Sequence, residues 1–302
     1  MKIRFFNFYR HLDKEVVSMG DTTYGNYLSY AGYALAQQLE QAGYAVVYDN
    51  SFDIAVFIDI DEKLYQFAKS LPPNVKKILC LVESPIYAPF GHHPNILFND
   101  TWARVLTYNR EFYSEKLTYY DIAVTGIQCV LPEGPVAEIS KKGVFIGSFK
   151  DDRGFGLERN AMILQAADAG LLDIWGYGWP PYAGYHGTTD NKIETLRQYS
   201  YTLCVENAKY SGYVTEKIGD SILAGRPCMY FGDTVHAKRR FGESFVALQE
   251  LSFSSYLSAK SEIEYRYKEL VGVVEKEKAT SAQWVDSYLS AMTDAIFSCH
   301  ER

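Results

Sequence analysis

Glu206, Thr215, Glu216 and Lys217 lie close together in the sequence and could do chemistry as a group. A buried strand pattern, Tyr201 to Val205, runs out at Glu206. A loop with Ser211 and Gly212 then leads into a helical pattern that starts near Thr215. A helix that begins at the carboxyl edge of a strand offers unpaired N–H groups and a positive dipole end, which together attract an anion. Lys217 sits in that first turn, where a cation opposes the dipole. An anion such as a diphosphate between lysine and helix would remove the conflict. Glu206 and Glu216 are suited to accept hydrogen bonds from sugar and ribose hydroxyls. The plainer alternative is that Thr215 caps the helix and Glu216 only favours its N-terminus.

Three other patterns are weaker. Asp59-Ile60-Asp61 is a D-x-D at the end of an early strand, a pattern that elsewhere holds manganese, but it is far in sequence from Glu206. His92 and His93 are adjacent, so in an extended segment they point apart and are poorly placed to chelate. Gly154 and Gly156 do not complete a G-x-G-x-x-G, which argues against a dinucleotide fingerprint. No metal and no cofactor is expected.

The elements that must position these residues alternate along the chain. Strand patterns cover Lys2–Phe8, Ala45–Tyr48, Ile54–Ile58 and Lys77–Val82, with a helical stripe over Asn26–Ala42. Leu131 to Lys142, with Pro132, Gly134 and Pro135, reads as a linker. Beyond it, strands are expected at Val144–Gly147, Leu172–Trp175, Tyr201–Val205 and Pro227–Phe231. Helices are expected at Leu157–Ala169, Lys192–Gln198, Thr215–Leu223, Ser261–Glu277 and Ser281–Cys299. Such alternation marks βαβ units around parallel sheets, which bind ligands beyond the strand carboxyl ends. The expected class is α/β with two Rossmann-like domains facing a cleft. The expected domains are residues 1–135 and 136–302, with the last helix able to pack back on the first domain; the family resemblance described below implies an acceptor side for the first and a donor-binding role for the second.

Composition narrows the partners. The chain has 302 residues, 47% hydrophobic, with a net charge of -7, which opposes general nucleic-acid binding. No signal-peptide pattern and no apolar run of membrane-spanning length is present, and the five cysteines form no C-x-x-C. The acidic residues scattered from Glu262 to Asp294 oppose anchoring to anionic lipid. A cytoplasmic protein with reduced thiols is expected.

The segment Tyr199–Gly232 resembles the donor-binding motif of the α1,3/4-fucosyltransferases, glycosyltransferase family 10. The resemblance is carried by Tyr201, Leu203, Glu206, Asn207, Tyr213, Val214, Thr215, Glu216, Lys217, Ile218, Pro227 and Gly232. Val205 and Ala208 depart from it, standing where an aromatic and a Ser or Thr are usual. Lys142 to Gly178 resembles the family's preceding strand–loop–helix, through Phe145-Ile146-Gly147-Ser148, Arg159-Asn160 and Asp173-Ile174-Trp175-Gly176. Val82-Glu83-Ser84-Pro85 and Thr107-Tyr108-Asn109-Arg110 resemble elements of its N-terminal half.

The resemblance implies a GT-B fold and metal-independent, inverting transfer of L-fucose from GDP-fucose to a glycan hydroxyl. The acceptor it suggests is the GlcNAc of an N-acetyllactosamine-type unit in α1,3 linkage, on an oligosaccharide or lipopolysaccharide. Glu83 matches the general base. Arg159 matches the arginine on the donor pyrophosphate, with Arg153 as an alternative and a solvated helix residue as the bland option. Glu206, Asn207, Tyr213, Thr215, Glu216 and Lys217 complete the donor set, with Asn207 and Tyr213 near base or sugar. The alternatives are another GDP- or UDP-sugar donor, or a catalytically silent glycan or nucleotide binder.

Overall fold

In the computed structural model, residues 1–7, 35, 38–122, 140–150, 153–182 and 184–298 are described. The helical stripe expected over Asn26–Ala42 and most of the expected linker therefore lie outside the described residues, Leu35 and residues 38–42 excepted. The chain divides into two units. One holds Met1–Gly126 with Trp284–Arg302, and the other holds Ile127–Gln283.

The first unit has a parallel sheet of six strands. They are β1 (Lys2–Asn7), β2 (Ala45–Val46), β3 (Ile54–Ile58), β4 (Lys76–Cys80), β5 (Arg104–Thr107) and β6 (Leu117–Tyr119), in the order β2-β1-β3-β4-β5-β6. Ile54, Ala55, Val56 and Phe57 are all fully buried, as an unbroken apolar run must be in a parallel sheet covered on both faces. α1 (Glu62–Ser70) is started by Asp61, whose carboxylate accepts from the Leu64 N–H. The short α2 (Pro94–Leu97) is started by His93.

The second unit repeats the scheme with five strands. β7 (Ser140–Ile146), β8 (Leu172–Trp175), β9 (Tyr199–Val205), β10 (Cys228–Phe231) and β11 (Phe245–Ala247) are all parallel, in the order β11-β10-β9-β7-β8. The helices are α3 (Gly156–Asp168), α4 (Lys192–Arg197), α5 (Lys217–Leu223), α6 (Thr234–Phe241) and α7 (Phe253–Ala279). One stripe of α7 (Tyr256, Ala259, Ile263, Leu270 and Val274) is buried, and most of it joins the core of Ile163, Leu172, Tyr201, Leu203 and Met229. Each fully buried large apolar side chain contributes about 1.5–3 kcal/mol. The order of strand addition reverses at β7, with β8 on one side and β9 on the other, so the switch point of this sheet lies at the carboxyl ends of β7 and β9.

Three expectations change. Ser140, Lys141 and Lys142 belong to β7 rather than to a linker, because the Ser140 N–H donates to the Gln198 carbonyl and the strand pairs with β9. The helix expected from Thr215 starts at Lys217. The penultimate helix begins eight residues earlier than Ser261, at Phe253, where Ser252 caps it through the Ser255 N–H. The last helix, α8 (Ala282–Phe297), carries buried Trp284, Met292, Ala295 and Ile296. Met292 Sδ lies 3.9 Å from Cys80 Sγ, and Phe297 stacks on Tyr44 at 5.1 Å. Among the described residues no helix is long and apolar enough to cross a membrane. Cys80, Cys204 and Cys228 are buried free thiols.

Candidate functional site

At the carboxyl end of β9 the chain buries Glu206 completely. An ionised carboxylate survives burial only with a full set of donors. Glu206 receives the Thr215 N–H (2.8 Å), the Thr215 hydroxyl (2.7 Å), Lys217 Nζ (2.8 Å) and, more weakly, the Tyr230 hydroxyl (3.4 Å). It thus ties the end of β9 to the start of α5 and closes the intervening loop. Gly232 makes room for this knot: a Cβ there would stand 2.3 Å from Tyr230 Oη and 2.7 Å from Glu206 Cγ. The loop is pinned a second time where Gly212, at φ +80°, donates its N–H to Asp233 Oδ2 (2.7 Å). Burial would raise the Asp233 pKa, but the N–H donors of Gly212 and His236 outweigh it and hold it low.

The geometry revises the expected role of Thr215. It caps no helix; its N–H and hydroxyl both go to Glu206, and α5 begins after Glu216 without any side-chain cap. The anomaly of Lys217 also gains an internal cause. Its Nζ contacts Glu206 Oε2 and, at 2.7 Å, Thr215 Oγ1. Burial would lower its pKa, yet the carboxylates of Glu206 and Glu216 more than reverse this and keep the ammonium charged.

Beyond Lys217 the charges alternate. Lys192 Nζ lies 3.4 Å from Glu216 Oε1 and 2.5 Å from Asp220 Oδ2. Glu216 is pushed down to about 2: burial opposes ionisation, and Lys217 and Lys192 overcome it. Asp220 is raised to about 7, chiefly by burial, which Lys192 only partly offsets. In the row Glu206, Lys217, Glu216, Lys192, Asp220, the two outer carboxylates are fully enclosed. Lys217 and Glu216 keep 21% and 27% of their side chains exposed. The accessible part of the array is therefore chiefly the Lys217 ammonium and the Glu216 carboxylate, with a smaller share of Lys192 at 14%, a set suited to a phosphate and a hydroxyl. Lys192 is absent from the residues expected from sequence. It sits in the first turn of α4, against the dipole, the same anomaly that marks Lys217.

Arg159 is 5% exposed, which excludes a solvated helix residue. Its guanidinium donates to the Ser148 carbonyl (3.0 Å) and to Asn160 Oδ1 (2.9 Å), and lies 5.6 Å from the Phe145 ring centre. Asn160 in turn donates to the Lys150 carbonyl (2.9 Å). Together they shape the loop leaving β7, beside β9 at the switch point. Arg153 is exposed. Asn207 is half-buried, while Tyr213 is 2% exposed. Of the expected donor residues, the structure brings Glu206, Thr215 and Lys217 into direct contact with Glu216 charge-coupled to them, and places Arg159 on a neighbouring loop.

In the other unit, Glu83 follows β4 and is half-buried. Its Oε1 accepts the Ser84 N–H (2.8 Å). Its own N–H donates to Asp59 Oδ2 (3.0 Å), and the Val82 N–H donates to Asp59 Oδ1 (3.0 Å). Its carbonyl accepts from His92 Nε2 (2.9 Å) and the Tyr108 hydroxyl (3.0 Å). Asp59 is fully buried and is raised to about 7, mainly by burial. The D-x-D pattern thus divides: Asp59 serves the Glu83 segment and Asp61 caps α1. The two histidines divide as well, His93 starting α2. Among the described residues no three His, Cys, Asp or Glu side chains are grouped to hold a metal ion.

Comparison with known proteins bears on the fold and on the family resemblance. A stretch of 75 residues is 39% identical to the alpha-(1,3)-fucosyltransferase FucT of Helicobacter pylori; it spans 25% of this chain and 15% of that protein. No protein-family model matches the chain. A crystal structure of an alpha1,3-fucosyltransferase with GDP superposes with a TM-score of 0.62 at 14% identity, covering 100% of this chain and 90% of that one. The form with GDP-fucose gives 0.58 at 15% identity, over 92% and 82% of the two chains. Anabaena Alr3699/HepE in complex with UDP gives 0.62 at 13% identity, over 99% and 100%. The fold is that of the two-domain GT-B glycosyltransferases, and the resemblance to the α1,3/4-fucosyltransferases stands.

Proposed function

We propose that this chain is an inverting glycosyltransferase that moves L-fucose from GDP-fucose to a hydroxyl of a glycan acceptor. The observation that carries the reading is the exposed edge of the charge array. An ammonium has three N–H donors, and Lys217 spends two on Glu206 and Thr215. The third is left for a phosphate oxygen at the sheet's switch point. Glu216, ionised at all ordinary pH, accepts hydroxyls of the sugar or ribose. As the glycosidic bond breaks, charge grows on the diphosphate, and a fixed ammonium stabilises it without a metal. Arg159 and Asn160 hold the neighbouring loop, and Arg153 is the exposed cation beside it.

Inversion by single displacement needs a base for the acceptor hydroxyl. Glu83 fills that role: its carboxylate is half-exposed and fixed by the Ser84 N–H. The acceptor we propose is the GlcNAc of an N-acetyllactosamine-type unit in α1,3 linkage, on a lipopolysaccharide-type glycan made in the cytoplasm. The second reading keeps the site and changes the donor, and the structural likeness to a UDP-bound protein supports it.

The test is GDP or UDP release from GDP-fucose, GDP-mannose, UDP-galactose and UDP-N-acetylglucosamine, side by side, with and without N-acetyllactosamine. Preference for GDP-fucose is expected, and preference for a UDP-sugar would refute the donor assignment. Glu83→Gln is expected to lower kcat by about 10²–10⁴-fold with GDP affinity unchanged; near wild-type turnover would refute the base.

A further inference from the structure

The segment carrying Glu83 is held in an unusual way. Loop peptides beyond a strand ordinarily find water or other backbone. Here the N–H and the carbonyl of one residue, Glu83, are both satisfied by side chains from three separate places. Asp59, just after β3, takes the N–H, and Tyr108, just after β5, and His92 take the carbonyl. All three are deeply buried, at 0%, 1% and 6% exposure. Asp59 also stands at φ +45°, in the left-handed region that few non-glycine residues adopt, and such strain persists where surrounding structure imposes it. His92 bears a further cost. The carbonyl has no proton to give, so Nε2 must carry the hydrogen, and Nδ1 is left buried without a hydrogen-bond partner. Closing the end of a strand does not require a buried carboxylate, a phenol and a half-satisfied imidazole. Together the three side chains fix the Glu83 Cα from both sides.

We propose that Asp59, Tyr108 and His92 are positioning residues for Glu83, clamping its peptide so that the carboxylate is presented in one place. This rests on the reading of Glu83 as the base. Proton abstraction tolerates little misplacement, and a shift of about 1 Å can cost about a hundredfold in rate. The clamp acts on the peptide and leaves the donor site in the other unit alone.

The test uses Tyr108→Phe and Asp59→Asn, each alone and combined with Glu83→Gln. Turnover is read as GDP release from GDP-fucose, with N-acetyllactosamine and with water as acceptor, and GDP affinity by calorimetry. Each single variant should lower kcat about 10–100-fold with KM for GDP-fucose and GDP affinity unchanged. Neither should lower the residual rate of Glu83→Gln further, because a clamp acting only through Glu83 has nothing left to position. If Glu83→Gln itself keeps full turnover, the base assignment falls and the clamp with it. If Glu83→Gln is crippled while Tyr108→Phe and Asp59→Asn stay within twofold of wild type, the clamp alone is refuted. Losses that multiply with Glu83→Gln, or that lower GDP affinity too, would assign these residues to structure and overturn the proposal. Should Asp59→Asn fail to fold, Tyr108→Phe, which removes a single hydroxyl, decides.

Discussion

Replacing Lys217 by methionine separates the two things its ammonium does. Methionine keeps most of the side-chain length and removes the charge. On the donor side, one charge-assisted contact to phosphate is lost, worth about 1.5–3 kcal/mol, or about 10–150-fold in GDP affinity. On the structural side, Glu206 loses its cation but keeps both bonds from Thr215. Removing one partner of a fully buried pair costs about 3–5 kcal/mol, but Lys217 retains 21% exposure, so the expected loss is about 2–3 kcal/mol. For a unit of this size that lowers Tm by roughly 5–10 °C. Calorimetry with GDP at a temperature where the variant is fully folded reads the first effect, and scanning fluorimetry without ligand reads the second. A Tm drop with GDP affinity within twofold of wild type would mean that Lys217 is only an internal tie, and the phosphate assignment would fail.

Stability should depend on pH in two opposed ways. Glu216 is held at about 2, below its ordinary 4.5, so its contribution is present above about pH 4.5 and is lost as pH falls toward 2. Asp59 and Asp220 are raised from 3.8 to about 7, so their contributions are present below about pH 4 and are lost as pH rises through 7. Urea titrations of Asp220→Asn should show a flatter loss of stability between pH 5 and 8 than wild type; an identical slope would contradict the assignment. Gly232→Ala forces a Cβ to 2.3 Å from Tyr230 Oη, and should cost about 1–3 kcal/mol and weaken GDP binding as Glu206 is displaced. Unchanged stability and affinity would mean that the knot yields easily. Incubation with EDTA should leave turnover intact; loss restored only by manganese would return attention to Asp59 and Asp61.

The cluster around Glu206 was legible because it is local: Glu206, Thr215, Glu216 and Lys217 lie within twelve residues, and the loop's own chemistry brings them together. Lys192 arrives from a different helix, and its only trace in sequence is a cation at the wrong end of that helix. Asp59 was visible but its task was not. The Asp59 N–H bonds to the Cys80 carbonyl, and this pairing of β3 with β4 delivers its carboxylate to residues 82 and 83. No local pattern encodes which strands become neighbours. The fold class followed from the alternation of elements, whereas β5, β6 and β11, of only three or four residues each, are too short to show a period. Ser140 to Lys142 read as linker because two lysines and a serine hide a strand whose pairing is supplied by β9.

The return of residues 284–302 to the first unit has a consequence for synthesis. The second unit is continuous in sequence, so once residue 283 has left the ribosome it has everything it needs to fold. The first unit is made earlier but waits for the chain's last stretch, which brings Met292 against Cys80 and Phe297 against Tyr44. The packing of the first unit is therefore completed only after the sequence of the second unit has been made, because residues 284–302 are the last to be added. A released chain truncated after residue 283 should be more protease-resistant over residues 140–283 than over residues 1–122.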